Sequence, residues 1–141
     1  MQHKTIGTKT IVRIDKGEEL ITCLTELCKQ LQIKSGTITG IGATNNATIG
    51  VYNTETFKYH SQTLIGDHEI APLIGNITWL NEKPYLHLHI TLSDHTNKAF
   101  SGHLDKAIIS ATFEGIIDHI DTTITRKKDS KIGLNLLNLE D

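Results

Sequence analysis

At 141 residues the chain has the length of a single domain, 1–141, large enough to bury a core that needs no disulfide staples. Hydrophobic residues make up 38% and charged residues 21%, a globular balance that excludes a disordered chain. The net charge of −2 excludes a surface that attracts a polyanion everywhere, so DNA as a partner is not favoured, and only a local basic patch would support it.

The first ten residues contain no apolar signal-peptide core, and no apolar run reaches the length of a membrane span, so a cytoplasmic protein is expected. Lys9 to Ile14 alternates and reads as a strand. Leu20, Leu24, Leu27 and Leu31 recur at helical spacing, which predicts a helix over 16–33. Asp15 and Glu18 make a box-like start for it, and Gly36 a stop. Cys23 and Cys28 fall five apart on this helix, too divergent to bridge, and read as reduced, partly buried thiols. Short strands follow at 36–42 and 47–52 around an Asn45-Asn46 turn, and at 56–65 before a break at Gly66-Asp67. The run 69–80 is apolar but holds Pro72 and Gly75, which predicts a bulge or bend. Strands at 85–92, 99–104, 108–117 and 122–125 complete the series, and the apolar tail 132–139 is expected to dock. One helix against many sequential strands predicts an α+β fold with a curved, mainly antiparallel or mixed sheet.

The strand Tyr85 to Leu92 carries the strongest chemical signal. Side chains alternate along a strand, so Leu86, Leu88, Ile90 and Leu92 share the core face. His87 and His89 share the other, about 7 Å apart. Two imidazoles so placed suit one zinc-like ion. With eight histidines in the chain, a His-x-His pair alone is weak evidence. His103 strengthens it, because a turn at 93–97 can fold its strand back beside the pair, with Gly102 leaving room. The register that decides this is open in the sequence. His3, His60, His95 and His119 read as exposed or partly packed, and His68, between Asp67 and Glu69, as part of a solvated turn. Arg126-Lys127-Lys128 reads as a solvated basic loop. No phosphate-binding loop, nucleophile elbow or dinucleotide fingerprint occurs.

The chain resembles the plants-and-prokaryotes-conserved (PPC) domain over nearly its full length. The resemblance runs from Arg13 and Gly17-Glu18-Glu19 through the helix to Ser35-Gly36 and Gly40-Ile41-Gly42-Ala43. It continues at Gly50-Val51-Tyr52, Glu69-Ile70, Leu73 and Gly75-Asn76-Ile77. Its most specific part is Pro84-Tyr85-Leu86-His87-Leu88-His89, then Leu92-Ser93-Asp94 and Gly102-His103-Leu104. The resemblance implies a homotrimer, with zinc held by His87, His89 and His103. Ser101 replaces a glycine that the family often has there. The AT-hook of plant members is absent, so their DNA-binding label does not transfer on motif grounds. The family's Gly-Arg-Phe-Glu-Ile partner stretch corresponds to Gly66-Asp67-His68-Glu69-Ile70, a possible protein-partner surface with altered specificity.

Three functional readings follow. The favoured one is a trimeric, zinc-containing binding or regulatory module of unknown ligand. A DNA-binding protein is the second. The third is a zinc-dependent hydrolase, with Asp67, Glu69 or Asp94 as candidate base.

Overall fold

A computed structural model describes residues 1–140. In chain order its elements are β1 Gln2–Ile6, β2 Lys9–Asp15, α1 Leu20–Gln30, β3 Gly36–Asn53, β4 Lys58–Leu80, β5 Lys83–Ser93, β6 Ala99–His119, β7 Thr125–Lys128 and β8 Asn135–Asn138. The fold is α+β, as expected, and the sheet is mixed: β4 and β7 pair in parallel at Trp79 and Thr125, and the other ladders are antiparallel. Strand order is β1-β2-β6-β3-β4-β7-β8. Both β3 and β5 pair with β4 and with β6, so these four strands close on themselves and the sheet curls.

The short strands expected at 36–42 and 47–52 fuse into β3, those at 56–65 and 69–80 into β4, and those at 99–104 and 108–117 into β6. Asn45-Asn46 is therefore no turn. The register slips between Thr44 and Asn46, and the Thr44 hydroxyl donates to the Ile108 carbonyl at 2.6 Å. Ladders on both edges of β3 hold the chain extended and turn a local break into a bulge. Gly66 likewise absorbs a bend inside β4, at φ +103°. The bulge expected near Pro72 is present as a register shift between Ile70 and Leu73. Gly75 serves close approach instead: a Cβ there would run into the His87 carbonyl oxygen. The strand expected at 122–125 starts only at Thr125. β1 carries no apolar alternation because it is exposed along its whole length.

The helix is shorter than 16–33, and its cap is Glu19 rather than Asp15. The Glu19 carboxylate accepts from the amides of Ile21 (3.1 Å) and Thr22 (2.7 Å), and also from the Ala107 amide of β6 at 3.2 Å. It thus caps the helix and ties it to the sheet. Glu18 accepts instead from the Asp15 amide. At the other end Leu31 caps and Gln32 turns the chain at φ 52°, so Gly36 is not the stop but opens β3. Burial opposes ionisation of Glu19, but the Thr22 hydroxyl and the Thr22, Ala107 and Ile21 amides outweigh it and hold the carboxyl below its ordinary 4.5. A depressed carboxyl contributes stability that is present above the unfolded value and lost as pH falls through the folded one. Glu19→Gln should therefore cost about 1 kcal/mol at neutral pH and flatten the loss of stability below about pH 4.5, as read by urea unfolding across pH.

α1 buries Leu20, Cys23, Leu24, Leu27 and Cys28 against the sheet, where Ile14, Ile77, Leu88, Ile90, Ile109 and Phe113 meet it in one core. Both cysteines are unpaired and buried, and burial pushes the Cys28 thiol up to about 12. No helix among the described residues is long and apolar enough to cross a membrane.

Candidate metal centre

β5 alternates as its sequence demands. Leu88, Ile90 and Leu92 are buried, with Leu86 packed against the same core, while half-buried His87 and exposed His89 face the other way. The register that the sequence left open places His103 of β6 directly opposite His89. Residues opposite each other across a ladder lie on one face with Cβ atoms about 5 Å apart. Gly102 permits this because a Cβ there would meet the Gly50 carbonyl oxygen at 2.8 Å. The ring centroids of His87, His89 and His103 are separated by 5.2, 5.4 and 5.7 Å. One nitrogen from each ring lies within 4.8 Å of the other two.

The His103 ring rests on Tyr59 at 5.1 Å between centroids, and its Nε2 is 3.9 Å from Asp105 Oδ1. Its Nδ1 is buried and has no hydrogen-bond partner among the described residues. Such an atom costs about 1–3 kcal/mol unless something binds it. Burial, then the positive charge of Arg126, pushes the His87 imidazole down to about 4. Burial lowers His103 as well, against the pull of Asp105. Both rings are thus neutral at physiological pH, the form in which imidazole binds a metal. A donor set of three imidazoles suits zinc with one position left open.

A cavity of ≈ 240 Å³ adjoins His87 and His103, walled by Tyr59, Asn76, Tyr85, Arg126 and residues 134–137. Arg126 does not lie in a solvated loop. It is buried, donating from Nε to Thr78 Oγ1 (2.8 Å), from Nη1 to the Asn135 carbonyl (2.7 Å) and from Nη2 to Asn76 Oδ1 (2.5 Å). β7 and β8 form the hairpin that carries it, so the tail docks as expected.

The three carboxylates considered as bases are elsewhere. Asp67, Glu69 and Asp94 line a separate cavity of ≈ 670 Å³ with His68, His95 and Lys16, and none lines the cavity beside His87 and His103. Asp94 is engaged by the Thr96 hydroxyl and by the Thr96 and Lys98 amides, which hold it below its ordinary value. His68 is not in a solvated turn: it is buried on β4, with Nδ1 2.7 Å from the Gly66 carbonyl and its ring edge-on to Phe100. His3, His60 and His95 are exposed, and His119 is half-buried with Nε2 at 2.9 Å from Thr10 Oγ1.

A model of the Plants and Prokaryotes Conserved (PCC) domain, the PPC domain of the sequence reading, matches residues 1–121. The chain belongs to the PCC domain family. Solved structures agree along the whole PCC-domain chain. A "putative DNA-binding protein" from Bacteroides thetaiotaomicron is 37% identical, with a TM-score of 0.96 over 99% of this chain and 98% of that one. A plant- and prokaryote-conserved protein from Pyrococcus horikoshii is 29% identical, with a TM-score of 0.87 over 99% and 96%. A metal-containing protein from Archaeoglobus fulgidus is 29% identical, with a TM-score of 0.85 over 94% of each chain. No curated protein matches at a significant level.

Asp105 and Arg126 escaped the sequence reading. Asp105 had a usable signal, since two residues beyond His103 on a strand it returns to the same face. Arg126 had none, because a basic triplet looks solvated until β8 pairs over it.

Proposed function

We propose that this PCC-domain chain is a zinc-binding module that assembles as a homotrimer and acts by binding a ligand or partner rather than by catalysis. The convergence of one nitrogen from each of His87, His89 and His103 within 4.8 Å carries the metal reading, and the buried, unpartnered Nδ1 of His103 supports it. The metal-containing relative from Archaeoglobus fulgidus supports it. A hydrolase would need a carboxylate in reach of a zinc-bound water. Asp67, Glu69 and Asp94 line another cavity, and the carboxylate beside the histidines, Asp105, accepts from the Ser61 hydroxyl at 2.9 Å and does not line the cavity next to His87 and His103.

The trimer rests on an outward apolar row. Ile11 pairs with Ile116, Thr39 lies between Ile116 and Ile74, and Ile74 is opposite His89. Ile11, Ile74 and Ile116 are each 44–53% exposed in the single chain, a patch that further copies of this chain would cover. Residues 1–141 act as one unit in the cytoplasm on this reading, and within Gly66–Ile70 the exposed Gly66, Asp67 and Glu69 are the expected surface for a protein partner, His68 and Ile70 being buried. DNA is the second reading, favoured by the name of the Bacteroides relative, and salt-dependent retention on DNA would reveal it.

The deciding experiment is metal content per chain on untagged protein purified without added metal or chelator, with the mass of the same sample taken by sedimentation. About one zinc per chain in a trimer is expected. Protein that takes up no zinc even when it is offered would remove the metal reading, and a monomer would remove the trimer.

A further inference from the structure

We infer that the cavity beside His87 and His103 binds a small organic monocarboxylate, whose carboxylate accepts from Arg126 and completes the metal's open position while its apolar body lies on Leu137 of β8. The contact with the metal rests on the zinc reading, and the contact with Arg126 does not.

Arg126 is only 7% exposed, yet it forms no salt bridge among the described residues. Its three acceptors, Thr78, Asn135 and Asn76, are all neutral, and its remaining neighbour is the face of Tyr85 at 4.6 Å. A guanidinium has five N–H donors, so two remain unused. Burying a cation without a counter-charge is unfavourable, and neutral acceptors offset only part of the cost. Arg126 borders two cavities: the one beside His87 and His103 is lined by no acidic side chain among the described residues, and the other is lined by Lys34 and by Glu82, which forms no salt bridge with Arg126. Zinc on the histidines would add two further positive charges beside the same wall, against one nearby carboxylate, that of Asp105 at 3.9 Å from His103. The missing component is an anion.

Size and lining choose its class. At ≈ 240 Å³ the cavity falls below the range of about 300–1,000 Å³ that takes drug-sized ligands, so a peptide or nucleotide does not fit. Leu137 lies opposite Arg126 in the β7–β8 ladder, on the same face, and gives the wall an apolar side. One planar monoanion with an aliphatic body matches one fixed cation and that wall. A carboxylate oxygen is also a good zinc ligand. Inorganic phosphate has no apolar body to lie against Leu137 and so leaves the apolar side of the wall unused.

The test uses the full chain, zinc-loaded and metal-free, titrated with isovalerate, its neutral isostere isovaleramide and inorganic phosphate, with zinc content measured on each sample. Isovalerate is expected to bind, and isovaleramide at least about tenfold more weakly. Arg126→Gln should lower isovalerate affinity by about tenfold or more with zinc content unchanged. Leu137→Trp, on a partly exposed position of β8, should fill the cavity and block isovalerate even if the arginine variant does not fold. Acid and amide binding alike, phosphate binding as tightly as isovalerate, no isovalerate binding by zinc-loaded protein, or unchanged affinity in the folded variants would each overturn the inference. Binding that needs Arg126 in a chain that takes up no zinc would sustain the carboxylate site and remove the zinc reading alone.

Discussion

His103→Ala is expected to weaken zinc binding by more than about a hundredfold, because even groups one step removed from a metal cost 10–100-fold when lost. The ring removed is the one whose Nδ1 is buried without a partner. Two forces then oppose each other in the metal-free chain. Loss of the ring forfeits its contact with Tyr59, but it also removes an unsatisfied buried nitrogen, a penalty of about 1–3 kcal/mol. The metal-free variant should therefore unfold within about 1 kcal/mol of the metal-free parent. Zinc should separate them: at about a hundred times its Kd it stabilises the parent by about 2.7 kcal/mol and leaves the variant where it was. Urea unfolding with and without zinc reads both quantities. A variant still stabilised by zinc as the parent is would show that the ion is held elsewhere.

The second large effect lies under the site. Gly75 of β4 pairs with Leu88 of β5, and a Cβ on it would strike the His87 carbonyl oxygen and approach Leu88 Cα at 2.9 Å. Backbone cannot rotate out of the way as a side chain can. Gly75→Ala must therefore part β4 from β5, with Leu88 torn from the core and His87 moved from its partners. A loss of about 3 kcal/mol or more is expected, at the upper end of overpacking costs, and zinc affinity should fall with it. Stability within about 0.5 kcal/mol of the parent, the usual range of a harmless surface change, would mean that the two strands do not approach as closely as described.

These two glycine and histidine effects differ in how visible they were. Gly75 stood out in the sequence as a glycine inside an apolar run, but a bend and a close approach leave the same letter there. His87 and His89 were legible as a pair because alternation puts them on the face opposite Leu88 and Ile90, whatever the rest of the chain does. His103 was legible only as a candidate. Its place opposite His89 depends on a register that a slip of one residue would reverse.

The sequence by itself determined the class of the fold, the presence of one amphipathic helix within 16–33, the inward face of β5 and the bulge at Pro72, since each follows from local periodicity or from a residue's own backbone limits. Only the tertiary structure decided that the paired short strands run on as β3, β4 and β6. Hydrogen bonds on both edges of β3 outweigh the turn-forming Asn45 and Asn46, and the ladder to β3 on one edge carries β4 through Gly66. It also decided that Glu19 rather than Asp15 caps the helix, because the nearby Ala107 amide of β6 adds a fourth donor to its carboxylate. The same holds for Arg126. A charged triplet carries no mark of burial, and the side chain is enclosed only because residues nearly fifty positions away, Asn76 and Thr78, and the returning β8 strand supply acceptors for its donors.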